Sequence, residues 1–133
     1  MDRETVVPAA GGAGHGAGMV AGVKAGGLIF LSAIRGNPPG PGRQAMSDDT
    51  KEQARQAFEN MKAVLAGTGA TLENVVKVTL YLHDLKYRAP FHEVWMEYFP
   101  TNPPARIAIR VADANTQPGG NAHFALDVIA VAP

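Results

Sequence analysis

The sequence predicts an α+β domain of order ββαβαββ, with two helices packed on one face of a mixed sheet. Three observations carry that prediction. Apolar residues recur at three- and four-residue spacing over 49–66 and 87–99, strict alternation runs through 75–82, 105–112 and 122–131, and two short apolar runs flank Gly26-Gly27. A chain of 133 residues, 46% of them hydrophobic, suits a single core.

The elements are justified in chain order. Residues 1–18 read as a flexible Gly/Ala-rich arm and 19–133 as the single domain. "AAGGAGHGAG" at 9–18 is nearly pure glycine and alanine, but no strand precedes it and no helix start follows, so it does not read as a phosphate-cradling loop. Met19–Lys24 and Leu28–Ala33 read as a hairpin, because Gly26 and Gly27 take the positive φ values of a tight turn without strain. Residues 35–47 read as a loop, since their prolines and glycines oppose both regular elements. From Asp49 to Ala66, the residues Ala54, Ala57, Phe58, Met61, Val64 and Leu65 share one helix face, with Ser47, Asp48 and Asp49 available as caps and Gly67 and Gly69 as stops. A strand at Val75–Leu82 follows. A second helix over 87–99 has Pro90 in its first turn, a stripe of Phe91, Val94, Trp95 and Tyr98, and Pro100 beyond its end. Strands Ala105–Ala112 and Ala122–Val131 complete the order.

Composition excludes several functions. Lys plus Arg and Asp plus Glu balance at twelve each, which leaves no global field for nucleic acid or an anionic membrane. The chain has no cysteine, so disulfides, thiolate catalysis and Cys-ligated zinc are all absent. None of the four histidines has metal-ligand spacing with another, and no metal is expected. Asp2, Glu4 and the scattered glycines leave neither a signal peptide nor a membrane span at the start, and a cytoplasmic protein is the expectation.

Alternation sorts the strand residues by face. Taken with the helices, it puts Val76, Val78, Leu80 and Leu82, Ala105, Ile107, Ile109 and Val111, and Phe124, Leu126, Val128 and Ala130 against the core. The other face then carries Lys77, Tyr81, Arg106, Arg110, His123 and Asp127 among Val75, Ala108, Ala125, Ile129 and Val131. That is more contiguous apolar area than a monomer leaves wet, so this face reads as a subunit interface with embedded charges. Arginine's planar fork matches a carboxylate, and Arg106 serves either in a structural pair with Asp127 or as receiver of a small ligand's carboxylate. His15 and His83 read as arm and surface residues. His92, near the start of the second helix, and His123, at the head of the last strand, are candidate acids or bases if either approaches Arg106 across an interface.

"NMKAVLAGTGATLENVVKVTLYLHDL", "FHEVWMEYFPTNPPARIAIRVA" and "ALDVIAVAP", together with "GLIFLSA", resemble the RidA/YjgF reactive-intermediate deaminase family over about residues 19–133. The resemblance implies a chorismate-mutase-like fold and a homotrimer whose sheets close a central barrel, with ligand sites in the clefts between subunits. It also implies hydrolysis of small enamines or imines such as 2-aminoacrylate to a 2-oxo acid and ammonia, without a cofactor. In that family the arginine of Pro-Ala-Arg, here Arg106, holds the substrate carboxylate.

The departures lie around that arginine. The Tyr expected before the first hairpin strand is Met19, and the carboxylate expected in the last strand to orient water is Ala125. The Ser-Gly-Gln motif has Ser32 and then Ala33, and the Asn common on the second helix is His92. The expected substrate-binding set is therefore Arg106, Met19, Ser32, Ala33, Ala108 and Ala125, with Arg106, His92 and Asp127 as the catalytic set. Two alternatives stand beside the deaminase. One is a different small-carboxylate enzyme of a specialised catabolic or biosynthetic pathway on the same cleft; the other is a non-catalytic metabolite-binding trimer.

Overall fold

In the computed structural model, residues 2–9, 18–40, 45–115 and 120–133 are described. The expected order is present with one addition at its start. The strands are β1 (Arg3–Thr5), β2 (Gly22–Ala25), β3 (Leu28–Leu31), β4 (Val75–Leu82), β5 (Ala105–Arg110) and β6 (Phe124–Val131), and the helices are α1 (Thr50–Ala66) and α2 (Arg88–Tyr98). They form one mixed six-stranded sheet ordered β1-β2-β3-β6-β4-β5, in which only the β4–β5 pair is parallel. The sequence placed Arg3–Thr5 in the flexible arm; the structure pairs these residues with β2, Glu4 opposite Lys24. Residues 10–17, with His15, lie outside the described residues.

The helices begin and end for reasons visible in the sequence. Gly26 and Gly27 both have positive φ, 60° and 78°, and join β2 to β3 as a two-residue turn with Ala25 opposite Leu28. Asp49 caps α1 by accepting from the Lys51 amide at 2.9 Å. The predicted face of α1 is fully covered, since Ala54, Ala57, Phe58, Met61, Val64 and Leu65 are all buried. Phe58 anchors the helix pair through contacts with Phe91, Trp95, Tyr98 and Phe99. Three polar residues of α1 are buried too, and all are satisfied. The Thr50 hydroxyl lies 2.8 Å from His123 Nδ1. Gln53 donates to the carbonyls of Ser47 and Asn121 and accepts from the His123 amide, while Asn60 donates to the carbonyls of Arg35 and Asn37.

Register corrects the expected strand faces. On β4 and β6, Val78, Leu80 and Leu82 face Val128, Leu126 and Phe124, and all six are buried under the helices as predicted. A register shift between Val75 and Lys77 turns Val75 into the core and leaves Val76 exposed, the reverse of the expectation. On β5 the whole assignment inverts. Arg106, Ala108 and Arg110 pair with Val78, Leu80 and Leu82, so they share the helix face. Ile107 and Ile109, expected in the core, stand on the open face beside Thr79 and Tyr81 and are exposed.

Candidate ligand site between the second helix and the edge strand

The inversion of β5 is what builds a site. The second helix presents Arg88, His92 and Trp95 at i, i+4 and i+7, one stripe of its surface. Arg106 projects from β5 into that stripe. Its guanidinium lies over the Trp95 ring, 4.7 Å from the centroid. One terminal amino group, Nη2, donates to His92 Nδ1 at 3.1 Å. Arginine only donates, so Nδ1 is the acceptor and a neutral His92 carries its proton on Nε2. The other amino group, Nη1, is buried with no hydrogen-bond partner, the one such side-chain atom among the described residues. A buried donor left unpaired costs about 1–3 kcal/mol. A ligand oxygen would remove that cost.

Burial, and after it the charge of nearby Arg88, hold the Arg106 guanidinium below its ordinary value. No carboxylate offsets this. The two acids of α2 are engaged elsewhere, Glu93 with Lys51 and Glu97 with Arg55, both on α1. The site is thus a stacked, half-buried cation with one orphan donor, which suits an anion of carboxylate size.

Of the residues expected at the site, the structure brings His92 and Arg106 together within one chain, where an approach across an interface had been expected. The pair of Arg106 with Asp127 is absent. Asp127 is exposed on the open face beside Thr79, opposite in face to Arg106. Ala125 is buried on that open face. Ser32 donates to the Val20 carbonyl at 2.5 Å, and Met19 and Ala33 are exposed at the same end of the hairpin. Three strand spacings separate β3 from β5, about 14 Å. Met19, Ser32, Ala33 and Ala125 therefore do not meet Arg106 inside one chain, whereas Ala108 lies two residues along the same face.

His123 is also placed differently. Expected on the open, charged face, it stacks on Tyr87 (centroids 3.9 Å apart, rings 3° from parallel), and its Nδ1 lies 2.8 Å from the Thr50 hydroxyl. Burial holds it below the ordinary histidine value. Arg35 is held by the Ala114 carbonyl, to which its Nε donates at 2.7 Å. Sequence reasoning missed Trp95 and Arg88 as site residues. Trp95 had been placed with the core stripe, and the spacing of 88, 92 and 95 was the available signal.

Comparison with known proteins bears directly on this arrangement. The family model described as Endoribonuclease L-PSP matches residues 16–132. The chain belongs to the RidA/YjgF family. A RutC family protein of Pyrococcus horikoshii is 40% identical over 90 residues, which is 68% of this chain and 71% of that protein. The human 2-iminobutanoate/2-iminopropanoate deaminase is 38% identical over 84 residues, 63% of this chain and 61% of that protein. The crystal structure of Escherichia coli TdcF with bound serine superposes with a TM-score of 0.84 at 26% identity, covering 98% of this chain and all of that one. The RidA/YjgF fold is thus the fold of this chain, and the family includes deaminases of reactive imines.

Proposed function

We propose that this chain is a hydrolytic deaminase of small enamine and imine acids, with the substrate carboxylate on Arg106. The observation that carries the reading is the orphan Nη1 donor. Stacking on Trp95 and the bond to His92 fix the guanidinium in one orientation, and the donor left over is buried and unpaired. The human relative's name, an imine deaminase, and the serine bound to TdcF support a ligand of this class.

The chemistry asks little of the protein. An enamine acid takes a proton at carbon to give the imine. Water then adds to the C=N carbon, the C–N bond breaks, and ammonia and a 2-oxo acid are released. Positioning accounts for much of the rate of such a step. His92, with Nδ1 accepting from Arg106, presents Nε2–H as a hydrogen-bond donor to the substrate nitrogen, while the proton taken up at carbon comes from solvent. The water-handling group comes from between copies. The exposed open face supports a homotrimer, and Asp127, exposed on that face, is the acid it offers.

One observation favours a second reading, a non-catalytic carboxylate-binding trimer: the position expected to orient water is a buried alanine, Ala125. A turnover assay, paired with calorimetric titration of a 2-oxo acid, separates the two. Release of ammonia and 2-oxo acid is measured from enzymatically generated 2-aminoacrylate, with wild type and Arg106→Ala. Acceleration by the wild type, reduced about 10–100-fold by the substitution as expected for a charged hydrogen bond of ~1.5–3 kcal/mol, is the expected result. Equal rates with and without protein would remove the deaminase, and 2-oxo acid binding without turnover would establish the second reading.

A further inference from the structure

We propose that the site between α2 and β5 selects a substrate with two anionic groups, a 2-imino dicarboxylate, with Arg88 joining Arg106 in holding it. This rests on the deaminase reading and narrows its substrate class.

The argument begins with placement. Arg88 stands one helical turn from His92, about 5–6 Å, toward the start of α2. The second helix returns the chain from the end of β4 to the start of the parallel β5, so it runs opposite to both. Its first turn therefore lies toward the Ala108–Arg110 end of β5. Arg106, Ala108 and Arg110 share the face that looks at α2, because they pair with Val78, Leu80 and Leu82. The small, exposed Ala108 therefore lies between Arg106 and Arg110 on the face of β5 toward which the start of α2 carries Arg88.

Charge accounting points to the occupant of the site. Among the described residues, none of the three arginines has an ion pair, and Glu93 and Glu97 are held by Lys51 and Arg55 on the far side of α2. The segments 10–17, 41–44 and 116–119 contain no Asp or Glu at all. Arg88 is close enough to act on Arg106, so the two guanidinium charges repel without a counter-charge from this chain. An imino acid with one carboxylate answers only one of them. A dicarboxylate answers both, one group on the orphan Nη1 of Arg106 and the other over Ala108 toward Arg88. The same field disfavours an ammonium group, so imino and oxo acids bind in preference to the parent amino acids.

Binding of the stable 2-oxo acids tests this independently of turnover. Calorimetry compares oxaloacetate and 2-oxoglutarate, dicarboxylates of four and five carbons, with 2-oxobutanoate. The wild type is expected to bind at least one dicarboxylate about tenfold or more tightly than 2-oxobutanoate, the scale of one charge-assisted hydrogen bond. Arg88→Gln should weaken dicarboxylate binding about tenfold more than it weakens 2-oxobutanoate binding. Arg55→Gln, which removes a charge already paired with Glu97, should move neither. Equal affinities in the wild type, no binding of any of the three, or an equal loss for all ligands in Arg88→Gln would overturn the proposal. If 2-iminopropanoate is turned over but the dicarboxylate preference is absent, this inference fails and the deaminase stands. If the preference is present without any turnover, the deaminase fails and the dianion site stands.

Discussion

A guanidinium stacked on an indole and bonded through Nη2 to an imidazole has few orientations left, and in Arg106 the remaining terminal donor is buried. That geometry was half legible. The Pro-Ala-Arg motif singled out the residue, but alternation could say only that Arg106 and Ile107 point opposite ways, not which of them meets the helices. His123 belongs to the same scale and carries a pH prediction. Burial lowers its folded value, His83 and Lys86 add to this, and Asp48 and Asp49 oppose it. The unfolded chain, near the ordinary value of about 6.5, then binds more protons than the folded one. The stability His123 contributes is complete above about pH 6.5 and is lost as pH falls through that value toward the lower folded one. Thermal melts of wild type and His123→Phe from pH 7.5 to 5 should show the wild type losing Tm more steeply. Parallel curves would exclude the effect.

At the scale of elements, the two helices, β4 and β6 were readable because each has one covered and one open face, and period distinguishes such segments well. The edge strand was not. β5 has a single neighbour, its isoleucines look like core residues, and its face is set by register with β4, which depends on contacts far apart in sequence. The bulge before Lys77 was hidden for the same reason. The first strand was missed because Arg3–Thr5 is too short and polar to show a pattern. It is held by its surroundings: the Val6 amide donates to the Gly22 carbonyl and the Ala9 amide to the Ala63 carbonyl, each at 2.9 Å. Gly67 permits this approach. Its backbone is ordinary αR, but a Cβ there would overlap the Val7 carbonyl oxygen. Gly67→Ala should therefore lift the N-terminal segment, costing about 1–3 kcal/mol. Hydrogen exchange should quicken at Val6 and Ala9 while the amides of α1 stay protected, and unchanged protection at both would show that the helix end simply shifts.

The whole molecule presents a problem that one chain does not solve. Phe30, Val76, Ile107, Ile109 and Val131 are each 41–49% exposed. Four of the five share the open face of the sheet with Ile129, Tyr81 and Asp127. The residues expected around the ligand are split likewise, with Arg106, His92 and Ala108 on the helix side of β5 and Met19, Ser32, Ala33, Ala125 and Asp127 elsewhere. Closing three open faces into a barrel would cover the apolar side chains and bring edges of neighbouring copies together. Ile107 is the position to test, because it contributes to no core within the chain. Ile107→Glu should leave the fold intact by far-UV circular dichroism, since the side chain is half exposed, yet place a carboxylate where burial without a partner costs several kcal/mol per copy. Light scattering should find a trimer for the wild type and a monomer for the variant. Imine turnover should fall with the trimer if the water-handling group is supplied across the interface. A monomeric wild type would remove the interface argument. A trimeric Ile107→Glu would place the interface on another face, and a monomeric variant with full activity would show that Arg106 and His92 suffice within a single chain.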